Sequence, residues 1–219
     1  MQIYFLPLIH SIMGDRETEL LNYVSPKRQE TISRYRFPID QKLSLYAELL
    51  ALRGISNALS VPVSRIIILH EKMQKPKLAS PYEIDFNFSH THKAILCGIA
   101  ACGKIGVDIE PIKVPPLNVM KHVFHPAEIA YVESAAGEKK ETRFFEIWTR
   151  KEAYTKYLGT GLSIELTCIN TLDADFNRHC RTWQQETYIC SVYTDVDRDF
   201  QLSICSETDI YEYFSSHSV

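Results

Sequence analysis

The 219-residue sequence has no C-x-x-C pair, no apolar run long enough to cross a bilayer and no excess of positive charge. Each absence removes a class of function. A formal charge of -3 gives no overall basic field for nucleic acid. Without a long apolar run there is no membrane-spanning helix. Residues 1–8 are apolar but lack a basic leader, so no secretory signal is expected. The six cysteines (Cys97, Cys102, Cys168, Cys180, Cys190 and Cys205) fall mostly in apolar, strand-like runs. That placement suits reduced core thiols in a cytoplasmic protein better than a disulfide framework. What remains, 45% apolar and 23% charged residues, is ordinary for a soluble chain of one large domain or two small ones.

The most informative stretch is F-F-E-I-W-T-R-K-E-A-Y-T-K-Y-L-G-T-G-L, residues 144–162. Nothing before Gly159 breaks a helix. Phe144, Ile147, Tyr154 and Leu158 form one stripe at helical spacing, and Lys151 sits inside it. Glu152 and Lys156 are four apart and share the neighbouring face with Phe145 and Trp148. Gly159 and Gly161 stop the helix. One rigid rod thus holds a carboxylate and two ammonium groups beside aromatics. An amphipathic helix with a solvated ion pair has the same pattern, so the strands upstream carry the decision.

In chain order, strands are expected at 2–8, 66–70, 84–88, 94–101, 105–112, 164–172, 187–193 and 200–205. Ser25-Pro26 opens a helix that Pro38 interrupts; further helices are expected at 40–59 and 126–133. Residues 137–141 read as a polar break, and the tail from 207 as polar and aromatic. Each half has helices first and a strand meander afterwards, which favours an α+β fold. Y-I-C-S-V-Y, 188–193, echoes A-I-L-C-G-I, 94–99. Two similar halves, 1–104 and 105–219, are therefore expected.

Two further stretches bear chemistry. In G-V-D-I-E, 106–110, Val107 and Ile109 face the core while Gly106, Asp108 and Glu110 face the other way. Two carboxylates about 7 Å apart on one face repel unless a cation lies between them. Mg²⁺ suits that place, with Glu152 as a third ligand and Gly106 leaving room for a ligand above the sheet. A solvated acidic edge strand fits the same residues. In F-N-F-S-H-T-H, 86–92, the aromatics alternate with Asn87 and Ser89, and Ser89 and His90 fall at the strand end. Hydroxyl and imidazole donors there suit a phosphate, or merely a satisfied local turn. No Cys or third His stands at zinc-ligand spacing, and no orienting acid supports a Ser-His nucleophile.

F-N-F-S-H, G-V-D-I-E and W-x-x-K-E-A-x-x-K-x-x-G-x-G-L (148–162) together resemble the Sfp-type 4'-phosphopantetheinyl transferases. Lys75-Pro76, R-Y-x-x-x-x-D at 34–40 and V-F-H-P-A-E at 123–128 match further elements of that family. The resemblance implies two α+β halves related by a pseudo-twofold axis. Coenzyme A would lie between them, with 1–104 on its adenine and 3'-phosphate side and 105–219 supplying metal and catalysis. It implies transfer of the phosphopantetheine arm from coenzyme A, the cosubstrate, to a serine of an apo acyl or peptidyl carrier protein, releasing 3',5'-ADP. Mapped by motif, Asp108, Glu110 and Glu152 would hold Mg²⁺, and Lys156 the diphosphate. Ser89 and His90 would meet nearby phosphate oxygens, and Lys75 with Pro76 the adenine. Arg28 and Ser44 would reach the 3'-phosphate; Thr31 stands where some relatives carry lysine.

Attack on a diphosphate phosphorus needs charge neutralisation and in-line positioning more than covalent help. The carrier serine must lose a proton, to Glu152 or to a water on the metal. Residues 113–128, with the helix near Thr155, would receive the carrier. Lys113, Lys121, His122 and His125 suit an acidic partner, and Pro115, Leu117, Val119, Val123 and Phe124 an apolar patch. A chain with two halves completes its own cleft, so a monomer is expected. The residues alone also fit a Mg²⁺-dependent phosphohydrolase or a coenzyme A binding module.

Overall fold

A computed structural model describes residues 1–71, 74–159, 165–196 and 199–216. The first half contains β1 (Gln2–Pro7), α1 (Asp15–Leu20), α2 (Pro26–Ser33), α3 (Pro38–Leu59), β2 (Ile68–Leu69), β3 (Lys77–Leu78), β4 (Asp85–Thr91) and β5 (Ala94–Ala100). Then follow β6 (Ile105–Pro111), α4 (Met120–Val123), α5 (Pro126–Glu133), α6 (Glu138–Leu158), α7 (Ala174–His179), β7 (Cys180–Gln185), β8 (Tyr188–Thr194), β9 (Gln201–Ile204) and α8 (Glu207–Ser216).

The strands build a sheet of order β4-β5-β1-β9, a second of order β6-β8-β7, and the small pair β2-β3. In the first, β5 lies between β4 and β1 and is antiparallel to both. In the second, β8 lies between β7 and β6 and is antiparallel to both. The two strands whose sequences echo each other are thus the central strands of matching arrangements. This is an α+β fold of two similar halves. The sheets pack face to face through Ile3, Phe5 and Leu96 on one and Ile105, Val107 and Ile109 on the other. Helix α3 covers the outer face of the first sheet and α6 that of the second. Strand β9 returns to the first sheet, parallel to β1, and Ile210 and Phe214 of α8 are buried in the first half's core. Among the described residues, no helix is long and apolar enough to cross a membrane. All six cysteines are free; Cys102 and Cys168 are exposed and the other four buried.

Several expectations need correction. Helix α6 starts at Glu138, so the expected polar break is its first turns. Glu138 and Glu141 sit at the positive end of the helix dipole, and after Gly137 at the N-cap the polar run contains no breaker. Pro38 does not interrupt a helix but occupies the first turn of α3, where its missing N–H costs nothing. Strand β4 runs to Thr91, so Ser89 and His90 lie inside it, opposite Leu96 and Ile95. Within 164–172, the described residues form a single 3-10 turn, Leu166–Cys168, and a loop; Ile164 and Gly161 lie outside the described residues. Helices α1, α7 and α8 and strand β7 were not anticipated.

Candidate active site

The site forms where α6 crosses β6. Gly106 sets how closely they meet: a Cβ there would stand 2.0 Å from the Ala153 carbonyl oxygen and 2.4 Å from the Tyr157 nitrogen. The expected room for a ligand above Gly106 is therefore filled by the backbone of α6. The close approach brings Glu152 and Lys156 over the acidic face of β6. Lys156 Nζ donates to Asp108 Oδ1 at 2.6 Å and to Ser89 Oγ at 2.8 Å, and Ser89 Oγ donates to Asp108 Oδ1 at 2.8 Å. Three expected site residues from β4, β6 and α6 thus close one triangle. Asp108 is 3% exposed, and its Oδ2 is buried without a partner among the described residues.

Electrostatics ties the other acids to this centre. Burial, then the Asp108 charge, push the Glu110 carboxyl up to about 7, against the opposing effects of Lys113, Thr91 and Lys156. Burial, then Asp108, also raise Glu152. Negative charge is under-compensated here. Even so, among the described residues no group of three His, Cys, Asp or Glu side chains is gathered closely enough to grip a metal as it stands. His90 keeps an open face but is ringed by protein; that desolvation, then the Lys156 ammonium, lower its pKa, and Arg28 acts the same way against the opposing charge of Asp40. His90 is therefore within electrostatic reach of both cations.

Strand β6 is the edge of its sheet, and β4 seals it with side chains. Asp85 Oδ2 accepts from Ile105 N at 2.8 Å, and Asn87 Oδ1 from Val107 N at 2.9 Å. Ser89 then meets Asp108, and Thr91 Oγ1 donates to Glu110 Oε2 at 3.4 Å. The four alternate residues of one strand line the edge of another and fix where Asp108 stands. Asp85 and Asn87 were not anticipated as positioning groups, although the alternation D-F-N-F-S-H-T was their signal.

The remaining expected residues lie apart from that triangle. Lys75 pairs with Asp85 and donates to the Ile105 carbonyl at 2.7 Å. Burial lowers its pKa. With Lys104, Tyr157 and Gly159 it lines a cavity of about 280 Å³; neighbouring Pro76 is half-buried. Arg28 Nη2 donates to the Ser44 carbonyl at 3.1 Å, and its Nε lies 3.3 Å from Glu48. The Ser44 hydroxyl is buried without a partner among the described residues. Lys151 is a structural staple: 1% exposed, it pairs with Glu128 at 2.9 Å and donates to the Leu166 and Ile169 carbonyls. In the expected docking segment, Lys113, Lys121, His122 and Val114 are exposed. Phe124 corrects the expectation: it is 1% exposed and packs on Phe144, so it offers no surface.

Two family models match the chain. The 4'-phosphopantetheinyl transferase superfamily covers residues 104–205, and the N-terminal model of 4'-phosphopantetheinyl transferase covers 15–104. The 4'-phosphopantetheinyl transferase psf-1 of Bacillus pumilus is 30% identical over 190 residues, which is 86% of this chain and 81% of that protein. The chain belongs to the 4'-phosphopantetheinyl transferase superfamily. The 4'-phosphopantetheinyl transferase gsp of Aneurinibacillus migulanus is 31% identical over 147 residues, 67% of this chain and 61% of its own length. The 4'-phosphopantetheinyl transferase Sfp of Bacillus subtilis (strain 168) is 22% identical over 94% of this chain and 92% of its own. The protein is therefore a transferase of the Sfp type; Asp108 and Lys156 sit inside the segment matched by the superfamily model, and Ser89 inside the one matched by the N-terminal model.

Proposed function

We propose that this transferase moves the 4'-phosphopantetheine arm of coenzyme A onto a serine of an apo acyl or peptidyl carrier protein, with Mg²⁺ bound and 3',5'-ADP released. The observation that carries the reading is Asp108: a buried carboxylate with one oxygen held by Lys156 and Ser89 and the other unpartnered among the described residues. With Glu110 and Glu152 raised by burial and by Asp108, the donor set is hard oxygen with surplus negative charge, which fits Mg²⁺. Bound there, Mg²⁺ would neutralise charge on the diphosphate.

The chain's own residues would do the rest. Arg28, Ser44, Lys75, Pro76, Ser89 and His90 hold coenzyme A, and the shared reach of Arg28 and Lys156 to His90 supports one anionic ligand across both. The serine oxygen bonds to the phosphorus that bears the arm, and the P–O bond to 3',5'-ADP breaks. The serine proton goes to Glu152 or to a water in the site. Lys156 meets the charge on the departing diphosphate oxygen. The reading assigns 1–104 to the adenine and 3'-phosphate side and 105–219 to the chemistry, in a cytoplasmic monomer. Lys113, Lys121 and His122 face an acidic carrier.

The test is to incubate the protein with coenzyme A, Mg²⁺ and several apo carriers and weigh the carriers. Each accepted carrier gains one phosphopantetheine arm. No gain on any carrier, with phosphate released from simple esters, replaces the reading with a hydrolase. Coenzyme A bound but never transferred replaces it with a binding module.

A further inference from the structure

We propose that Lys156 is the resident counter-cation of Asp108 and leaves it when a divalent cation binds, so that one event fills the acidic site and frees an ammonium for the diphosphate. This rests on the reading of Asp108 as a metal ligand. The side chain of Asp108 is 5% exposed, and a carboxylate so buried needs a positive partner. In the chain as it stands that partner is Lys156, 2.6 Å from Oδ1, with Ser89 bonded to both.

The two lysines of α6 show why one is fixed and the other free to move. Lys151 is 1% exposed and its ammonium is committed to Glu128 and two backbone carbonyls. Lys156 has a side chain 28% exposed and, among the described residues, bonds only to Ser89 and Asp108. A divalent cation on Asp108 would lie against that ammonium and repel it. The flexible stem of Lys156 then carries the charge outward, to the side on which His90 is open. Because two cations compete for one carboxylate, each weakens the other's hold. Lys156 therefore lowers the metal affinity of the protein when no anionic substrate is present.

The experiment uses Mn²⁺ alone as the probe, counted as free ion by electron paramagnetic resonance, on the full chain without coenzyme A. Lys156→Gln is expected to bind Mn²⁺ about tenfold more tightly than the unaltered protein. Lys156→Arg, which keeps the charge, is expected to show no such gain, and Asp108→Asn to lose the site. Equal or weaker binding by Lys156→Gln, with Asp108→Asn still losing it, overturns the displacement and leaves the metal reading standing. No Asp108-dependent Mn²⁺ binding, with or without coenzyme A, overturns both. A second measurement needs no variant at the lysine: in protein labelled at lysine Cε, the Lys156 resonance should shift on adding Mg²⁺ while that of Lys151 stays. An unmoved Lys156 resonance under Mg²⁺ that titrates other site signals also overturns the proposal.

Discussion

The two halves share an arrangement of strands and a covering helix, yet the space between helix and sheet differs. In the first half α3 meets β5 through apolar groups, Leu49, Leu50 and Ile55 against Ile95, Cys97 and Ile99. In the second half α6 meets β6 and β8 through a polar seam. Thr149 Oγ1 lies 2.8 Å from Ser191 Oγ, which lies 2.9 Å from Thr182 Oγ1, and Ser191 stands opposite Asp108 in the sheet register. One interface stores stability; the other gives up apolar burial to place charges. The same arrangement thus carries an apolar interface in one half and a polar one in the other, through residues of α6, β7 and β8.

The sharpest way to break this comparison is to cut one residue from each interface. Asp108→Ala should lower transfer roughly thousandfold, as loss of a preorganised charge does, while circular dichroism keeps the folded spectrum. Leu50→Ala in α3 should do the reverse, costing about 3 kcal/mol in urea unfolding with turnover of the folded fraction kept. Near-normal turnover of Asp108→Ala would remove that residue from the site.

Next in size is the contrast between the lysines of α6. Lys151→Met leaves Glu128 buried, at 0% side-chain exposure, without its cation. Breaking such a pair from one side costs about 3–5 kcal/mol. Thr171 and His125 N–H groups also bond Glu128, so the loss should be felt in α5 and the 165–172 segment together. Lys156→Gln also takes a cation from a buried carboxylate, but at a side chain 28% exposed and with an amide donor left beside Asp108, so it should cost about 1–2 kcal/mol, less than Lys151→Met, while lowering transfer. Equal losses of stability would erase the distinction.

A smaller effect is expected at the glycines. A Cβ at Gly106 meets backbone of α6, which cannot step aside without moving Glu152 and Lys156. At Gly54 of α3 it meets side-chain atoms, Ile99 Cγ1 at 2.6 Å and Tyr4 Cε2 at 2.9 Å, which repack more easily. Gly106→Ala should cost about 3 kcal/mol and lower turnover; Gly54→Ala should cost about 1 kcal/mol and spare it. Urea unfolding and turnover measured side by side check both.

These contrasts show what the residues alone could reveal. Asp108, Ser89, Glu152 and Lys156 were legible because strand alternation and helix spacing put each on a definite face. Gly106 was misread, since a missing side chain marks close approach without saying whether ligand or backbone fills the space. Lys151 stood out in its apolar stripe, but its partner Glu128 lies on another helix, and periodicity does not pair elements. Strand β7 escaped notice because an edge strand with Arg181 and Gln184 lacks an apolar face. Helix α8 did carry a local signal: Ser206 and Asp209 exchange capping bonds, with Ile210 and Phe214 one turn apart behind them.

The least of the expected effects concerns the first half's own buried lysine. Lys42 is 2% exposed and lies 3.1 Å from Glu17 of α1 and 2.9 Å from Glu207 of α8, and Tyr46 donates to Glu17 Oε1 at 2.9 Å. Burial alone would raise the Glu17 pKa, but bonds from the Gly14 N–H, Lys42 and Tyr46 outweigh it and hold the carboxyl below its ordinary 4.5. A depressed carboxylate stabilises the fold above its unfolded value, and the contribution fades as pH falls through the folded value. Unlike the Lys156 pair, this cluster lies outside the proposed site and joins three helices, so its loss should register in unfolding alone. Glu17→Gln is expected to cost about 1 kcal/mol at pH 7 and to flatten the fall in stability below pH 4.5. Urea unfolding at pH 7 and pH 4 reads both. A variant whose stability still falls as steeply on acidification would show that other carboxylates, not this tether between α1, α3 and α8, govern the acid limb.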